Sequence, residues 1–599
     1  MGAQRVEHAD YSFSVDTATG TLARLSVGGE CLVYRAFSAL RDEHWSTPEP
    51  RTSLVESRDR FVFAHEYGPS GYGLEARTVI DHDPDQVRLS YTATVTEPFQ
   101  RNRLGLCLLL PATLAGAGIE KIGSNGRVEH LQLPRLIAPH QPCTDIATLS
   151  FVVSGAAVRI AFSGDVFEME DQRNWTDFSF KVYGTPLALP FPVRLETGDR
   201  VEQSITIGVE RAGEDPAAPL RWGRSSPAAG ERHTGRMPAV GSRVRSDVDE
   251  ARRPAVALPL DYYRIDVEGD AKAGGGGSAP DHHYHWAHDR GLAGVRMGDR
   301  TIRVIADPTS AEVSPGAPGA GMSGTDAAFA ELNRSRPAAA APEMPIVFTA
   351  SPQVHDRDDE TVVDNLFGLR ATLASVKALY PGHPFGLGLL ELTPHFNPAA
   401  GDLAVNRAIR RADPRQETTF ALVWALAALC EAAAAGCSFV TIFDTSGAYG
   451  WEADGRLLPA AHLLFDLAEG GFTGAAARGA PAVRGAPAGR GTRSEVASIE
   501  ILLPPESLSA PRRFALRRRT VPRAAIAANA GLEPWEADPV SLAGGAADAW
   551  RIRAVGPDAA ARTPAEFRSF RRTSVHEVSG TGRVVLPPGS YLFLKEYER

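Results

Sequence analysis

Cysteine is scarce in this chain. Five occur in 599 residues, Cys31, Cys107, Cys143, Cys430 and Cys437, and an odd, widely spaced set excludes a disulfide framework. Only Cys430 and Cys437 lie near each other, with no second pair to complete a tetrahedral zinc site. No apolar run reaches membrane-spanning length and no apolar h-region follows Met1, so the chain reads as cytoplasmic and without a membrane partner. Concentrated positive charge is missing too. A formal net charge of -9 argues against nucleic acid as a partner. The one basic run, Arg512, Arg513, Arg517, Arg518 and Arg519, is expected to be a solvated strand face. Two N-x-S/T sequons, at Asn174 and Asn333, are read as accidental in a cytoplasmic protein.

Several chemical signatures are also lacking. There is no G-x-S-x-G elbow for a serine esterase. There is no phosphate-cradling G-x-x-x-x-G-K-S/T, no dinucleotide-binding glycine fingerprint and no H-E-x-x-H. His282, His283, His285 and His288 cluster beside Asp281 and Asp289. Their setting next to Gly274-Gly275-Gly276-Gly277-Ser278 favours a loose loop over a preorganised metal site. No metal and no cofactor are therefore expected.

What is present is the composition of an ordinary globular protein, 43% hydrophobic and 23% charged, too long for a single core. The fold class read from pattern is multidomain, α/β plus all-β. Residues 1–212 alternate apolar and polar in short runs, as in Val87 to Val95, and predict an N-terminal β-sandwich. Residues 213–256, rich in Pro, Gly, Arg and Asp, read as a linker. Residues 257–470 alternate strands and helices and predict a TIM-barrel-like (β/α) domain. Its candidate strands are Tyr262 to Val267, Thr301 to Ala306, Ala328 to Leu332, Pro345 to Thr349, Gly386 to Leu392 and Cys437 to Phe443. Its helices are Glu360 to Leu379 and Gln416 to Ala435. Six strands fall short of eight, with the gap between Val267 and Thr301, so the barrel is expected to be incomplete or to hold strands the pattern hides. A Gly/Ala/Pro/Arg tract, 471–495, reads as a second linker, and 496–599 as a small C-terminal β-sandwich.

The densest chemistry lies in Phe167 to Lys181, which sets Glu168, Glu170, Asp171, Asp177, Arg173 and Lys181 among aromatic residues. Exposed rings leave apolar area in water, and buried unpaired charges cost several kcal/mol. The run therefore reads either as a wall of polar groups around a polyhydroxylated ligand, with Trp175 stacking on it, or as an ion-pair knot between sheets. Glu168, Asp171, Arg173, Trp175, Asp177 and Lys181 are the substrate-binding candidates from this run.

In the barrel, polar residues at strand ends face the mouth. Glu331 follows an apolar strand and is a candidate base or acid; Asn333 and Arg334 behind it are candidate binding groups. His355, with Asp356, Asp358 and Asp359 close behind, is a candidate carboxylate-oriented base. Gln353 is a candidate donor to an oxyanion. Asp444 ends a strand and, with Glu331, would make the carboxylate pair of a glycoside hydrolase. His395 and Asn397 are candidates for hydroxyl binding. For each, a structural ion pair or satisfied core role is the alternative.

The same run, leading into Thr185-Pro186-Leu187 and Pro190-Phe191-Pro192, resembles the D-apionate lactonase family. Further matching segments are Leu40 to Thr47, Asn102-Arg103-Leu104-Gly105, Gly324-Thr325-Asp326 through Phe329, Glu331 to Pro337, Pro352-Gln353-Val354-His355 and Asp413-Pro414-Arg415-Gln416. The chain departs from the family pattern at Leu392 to Asn397 and at Asp444, as a divergent member would. The resemblance implies a β-domain, a TIM-barrel-like domain and a C-terminal β-domain. It also implies hydrolysis of D-apionolactone to D-apionate, or of a similar aldonolactone, in carbohydrate catabolism. The expected partner is thus a small sugar lactone, with the oligomeric state open. The catalytic expectation rests on Glu331, His355 and Asp444. A glycoside hydrolase and a non-catalytic sugar-binding relative remain as alternatives.

Overall fold

The computed structural model describes residues 2–153, 156–211, 231–245, 258–268, 283–287, 292–297, 300–305, 320–336, 345–394, 411–473, 498–505, 511–518, 520, 523–543, 550–573, 576–578 and 583–596. The N-terminal part is two antiparallel nine-stranded sheets. Leu104, Leu106, Leu108 and Leu110 of the strand Phe99–Pro111 point into the core between them, joined by Leu40, Phe167, Met169, Phe180 and Val182. The period of two then turns the intervening residues outward: Arg41 and Ala39 on one strand, Arg103, Gly105 and Cys107 on the next, Lys181 and Tyr183 beyond. That outer face is turned toward the barrel.

The barrel closes as a ring of nine strands. Six run parallel: Ala239–Arg245, Tyr262–Glu268, Ala320–Ala328, Ile346–Ala350, Phe385–Leu390 and Phe439–Asp444. No strand is wanting: the stretch between Val267 and Thr301 holds two strands that the pattern hid, His283–Ala287 and Leu292–Met297. With Arg300–Ile305 they make three antiparallel strands. His283 and His285 fall on the first of these, whereas His282 and His288 lie outside the described residues, as does the second expected linker from residue 474 onward.

Three readings are corrected. The stretch taken as a linker, 213–256, supplies Glu231–Gly235 to the C-terminal sheet and Ala239–Arg245 to the barrel. Its charged and glycine residues hid two strands. Ala328 to Leu332 is not a strand. The strand ends at Ala328 and the helix Phe329–Ser335 begins at once; a short apolar run does not tell the two apart by periodicity. The C-terminal basic run is not a solvated face. Arg512 pairs with Asp364 and Arg517 with Glu500, both arginines being buried.

The C-terminal part is a seven-stranded sheet with a two-stranded pair, Trp535–Ala537 and Val584–Leu586, beside it. The sheet covers the helix Thr419–Ala435, which is buried on nearly every side and accordingly apolar all round.

The three parts meet at Asp364, on the helix Asp359–Leu379. Its carboxylate accepts from Arg24 (2.5 Å) and Tyr34 (3.1 Å) of the sandwich, and from Arg512 (2.7 Å) beside the C-terminal sheet. Removing one partner of a buried pair typically costs about 3–5 kcal/mol because the other charge stays behind. Asp364→Ala is therefore expected to lower the first thermal unfolding transition by several degrees, whereas Glu360→Ala, losing only a half-exposed partner of Arg24, should leave it nearly unmoved.

A second expectation concerns pH. Burial pushes the His65 imidazole down from its ordinary range to about 4, in a site where both ring nitrogens meet threonine hydroxyls. Between about pH 6.5 and pH 4 the unfolded chain takes up a proton that the folded chain refuses. Stability contributed by this group is thus present above that window and lost as pH falls through it. Equilibrium unfolding of His65→Gln at several pH values should show a shallower loss in that range than the wild type.

Candidate active site

Between the outer face of the sandwich and the barrel lies a cavity of about 1650 Å³. Its walls come from the two parts: Arg41, Trp45, Arg103, Glu170, Trp175, Asp177 and Lys181 on one side, Glu331, Arg334, Gln353, His355 and Glu391 on the other.

The turn Asp171 to Phe178 fixes how the two sides meet. Asp171 caps a short 3-10 turn by accepting from the Arg173 backbone, and its carboxylate takes the Arg173 guanidinium side-on at 2.8 and 2.7 Å. Arg173 also donates to the carbonyls of Pro134 and Arg135. Both side chains are about 1% exposed and neither reaches the cavity. Glu168 is likewise sealed, accepting from the Tyr183 hydroxyl and the Leu187 backbone. These three were expected to hold substrate; Asp171 and Arg173 instead hold the turn, and Glu168 holds the strand and loop beyond it. The helix Asp359–Leu379 then grips it: Asn365 accepts from the Phe178 backbone N–H (2.8 Å), and Thr372 donates to the Arg173 carbonyl (3.2 Å). Asn333, a binding candidate, donates to Asn174 and to the Ile137 carbonyl, both at 3.0 Å. It too is an interdomain clamp, and the two sequon asparagines are buried against each other.

At the end of this turn Asp177 enters the cavity and accepts from His355 Nδ1 at 2.6 Å. His355 was expected to be oriented by its own acidic neighbours. Those are engaged elsewhere: Asp356 and Asp358 with Arg35, Asp359 with Arg415. The orienting carboxylate comes from the other domain. With Nδ1 donating to Asp177, the neutral ring carries its lone pair on Nε2, the tautomer a general base needs.

Trp175 stands edge-on to His355 (ring centroids 5.7 Å apart), with the Arg334 guanidinium over its ring at 4.8 Å. Trp175 therefore packs against an imidazole and a guanidinium, with one face already taken. Glu331 lies in the first turn of its helix, lines the cavity, and makes no hydrogen bond or ion pair with any described residue. Gln353 donates one N–H to Asp413 (2.5 Å). Burial raises the Asp413 pKa, but hydrogen bonds from Arg415 and Gln353 outweigh it and hold the carboxyl below its ordinary value. Lys181 lines the cavity opposite Glu170 in register.

Asp444 does not lie on the cavity. It pairs with Arg243 Nε at 2.6 Å, and the same guanidinium reaches Glu391 at 3.1 Å. The Glu331 and Asp444 pair required for a glycosidase is thus not assembled. His395 and Asn397 lie outside the described residues. Glu391, Glu170, Arg41 and Arg103 line the cavity and were not singled out as site residues, although the last two lie in the family-like segments Leu40 to Thr47 and Asn102 to Gly105.

Comparison with known proteins bears on the same two halves. Residues 3–212 match the D-apionate lactonase N-terminal domain and residues 306–471 the D-apionate lactonase TIM barrel domain. The chain is a divergent member of the D-apionate lactonase family. It is 26% identical over 505 residues to the D-apionate lactonase of Brucella anthropi, covering 74% of this chain and 82% of that protein. The matched segments leave out 213–305, which carries the Ala239–Arg245 strand and the antiparallel strands that complete the ring. Among solved structures, a galactose mutarotase-like protein from Lactobacillus casei is 12% identical (TM-score 0.26) over 35% of this chain and 100% of that one. A beta-arabinopyranosidase is 9% identical (TM-score 0.25) over 99% of this chain and 100% of that one. Both superpose too loosely to inform fold or chemistry.

The interdomain fit yields a test. At Gly368 a Cβ would sit 2.0 Å from the Thr176 carbonyl oxygen, a backbone atom that cannot swing aside. Alanine would favour the helix by about 1 kcal/mol, yet it must push the Asp177 turn away from His355. Gly368→Ala is expected to fold and to lose roughly tenfold to a hundredfold in kcat/KM, measured on whichever lactone the wild type turns over.

Proposed function

We propose that the chain hydrolyses a sugar lactone, D-apionolactone or a similar aldonolactone, to the free sugar acid. The observation that carries this is the Asp177–His355 hydrogen bond at 2.6 Å, made across two domains in the wall of the cavity. Membership of the D-apionate lactonase family supports the substrate class.

The chemistry follows from the groups present. His355 Nε2 takes a proton from water as the water oxygen bonds to the lactone carbonyl carbon. The carbonyl π electrons move to oxygen, and the resulting oxyanion is met by the second N–H of Gln353 and by Arg334. Asp177 stabilises the imidazolium without taking its proton. As the carbonyl re-forms, the ring C–O bond breaks and the departing alkoxide takes the proton from Nε2. The hydroxy acid then ionises, so each turnover releases one proton. Glu331 and Lys181 are placed to hold hydroxyl groups. Metal and cofactor play no part in this scheme, and the glycosidase alternative built on Glu331 and Asp444 is disfavoured because Asp444 is off the cavity and paired with Arg243.

The test is proton release from a panel of aldonolactones beside aryl glycosides. Wild type should hydrolyse lactones only, and His355→Ala should lose about a hundredfold or more in kcat. Glycoside turnover without lactone turnover, or an undiminished His355→Ala, would refute the proposal.

A further inference from the structure

Two segments of the sandwich, Leu40 to Thr47 and Asn102 to Gly105, take no part in the scheme above, yet they converge on the cavity. Arg41 and Arg103 stand directly opposite each other on adjacent strands. Like charges in that position repel, and among the described residues neither arginine has a carboxylate within ion-pair distance. The acidic groups around them are committed or displaced. Asp42 accepts from the backbone of His44 and Ser46 and from the Tyr72 hydroxyl. Glu170 stands in register with Lys181 on the neighbouring strand and makes no ion pair with either arginine, and Asp177 is bound to His355. Arg41 makes one long hydrogen bond, to the Trp45 carbonyl at 3.5 Å.

Arg103 is the more telling of the two. The register slips after Arg41, leaving Asn102 as an extra residue, a bulge of the kind that re-aims a neighbouring side chain. The guanidinium is packed among Trp45 (5.2 Å), Tyr183 (5.5 Å) and Phe191 (5.8 Å). Its Nη1 reaches back to the Asn102 carbonyl. Its Nε and Nη2, the side-on fork, have no hydrogen-bond partner although the residue is only 8% exposed. Elsewhere in the same chain that fork holds a carboxylate: Arg173 on Asp171, Arg370 on Glu431, Arg415 on Asp413 and Arg523 on Glu596. Among the described residues Arg103 is the one arginine with both fork nitrogens buried and unpartnered. An uncompensated buried guanidinium is costly, and it sits in the wall of a cavity larger than the 300–1000 Å³ typical of small-molecule sites.

We infer that Arg103, with Arg41 opposite it, forms a carboxylate-binding subsite of this cavity, separate from the Asp177–His355 pair and taking the carboxylate of a sugar acid. Trp45 is its cover. It sits on the turn after Asp42, beside the exposed Glu43 and His44, and holds a left-handed backbone (φ 64°) that a tryptophan adopts only under constraint. Rotation of that indole opens the fork to the cavity. The carboxylate has two sources under the lactonase reading, on which this inference rests: an acid group carried by the substrate, or the group that hydrolysis creates.

Calorimetric titration of the full chain with ribonate and with ribitol, the same skeleton with and without the carboxylate, tests the subsite without needing turnover. Wild type should bind ribonate at least about tenfold more tightly, and Arg103→Met and Arg41→Met, each checked for an unchanged thermal melt, should each erase the preference. Equal binding of the two ligands by wild type, or a preference that survives in the folded variants, would overturn the inference. A larger kcat/KM loss in Arg103→Met for glucarolactone than for ribonolactone assigns the carboxylate to the substrate. Equal losses, with ribonate inhibition abolished, assign it to the product. Ribonate binding that depends on Arg103 in a protein inert to every lactone would keep the subsite and discard the lactonase reading.

Discussion

The whole arrangement depends on one contact surface, where the turn Asp171 to Phe178 of the sandwich lies against the helix Asp359–Leu379 of the barrel. The approach is close enough that residue 368 has to be glycine. Asn365 and Asn333 satisfy buried backbone and side-chain groups of the turn, and Thr372 adds a second donor to the Arg173 carbonyl; satisfying such groups is a requirement more stringent than any single favourable bond. Once that turn is fixed, Asp177 has one place to point. The cavity is the space left between two surfaces held apart and in register by this clamp.

The charges around the cavity divide into two groups. Asp356 and Asp358 with Arg35, Asp359 and Asp413 with Arg415, and Glu391 and Asp444 with Arg243 are matched pairs whose attraction offsets the cost of leaving water. Glu331, Glu170, Lys181, Arg41 and Arg103 have no ion-pair partner among the described residues. Apart from Glu170, these unpaired groups are the ones to which the proposed lactonase reading and the carboxylate subsite assign a polar ligand.

The sequence made the layout of parallel strands and helices legible because strands buried on both faces read as short continuous apolar runs between helical segments. It concealed Ala239–Arg245, where the buried polar residues Ser242 and Arg243 interrupt the apolar pattern, and it read Ala328 to Leu332 as a strand because four apolar residues carry no period. In the acidic-aromatic run it saw correctly that the charges could not be idle, but composition does not say which charges meet. Asp171 and Arg173 satisfy each other two residues apart, whereas Asp177 finds His355 at a distance in the chain that no local pattern encodes. For the same reason His355 was given the wrong orienting carboxylates: Asp356 and Asp358 are its neighbours in sequence, and Arg35 claims them. The Arg103 fork was invisible for a related reason, since an arginine on an alternating strand looks like any solvent-facing cation until the surface covering it is known.

The central claim is that Asp177 and His355 act as one unit across the domain boundary. A double-mutant cycle in kcat/KM on the preferred lactone measures this directly. If the pair is a unit, Asp177→Ala and His355→Ala will each cause most of the loss, and the double variant will be little worse than His355→Ala alone. Losses that simply multiply would show two independent residues and contradict the account.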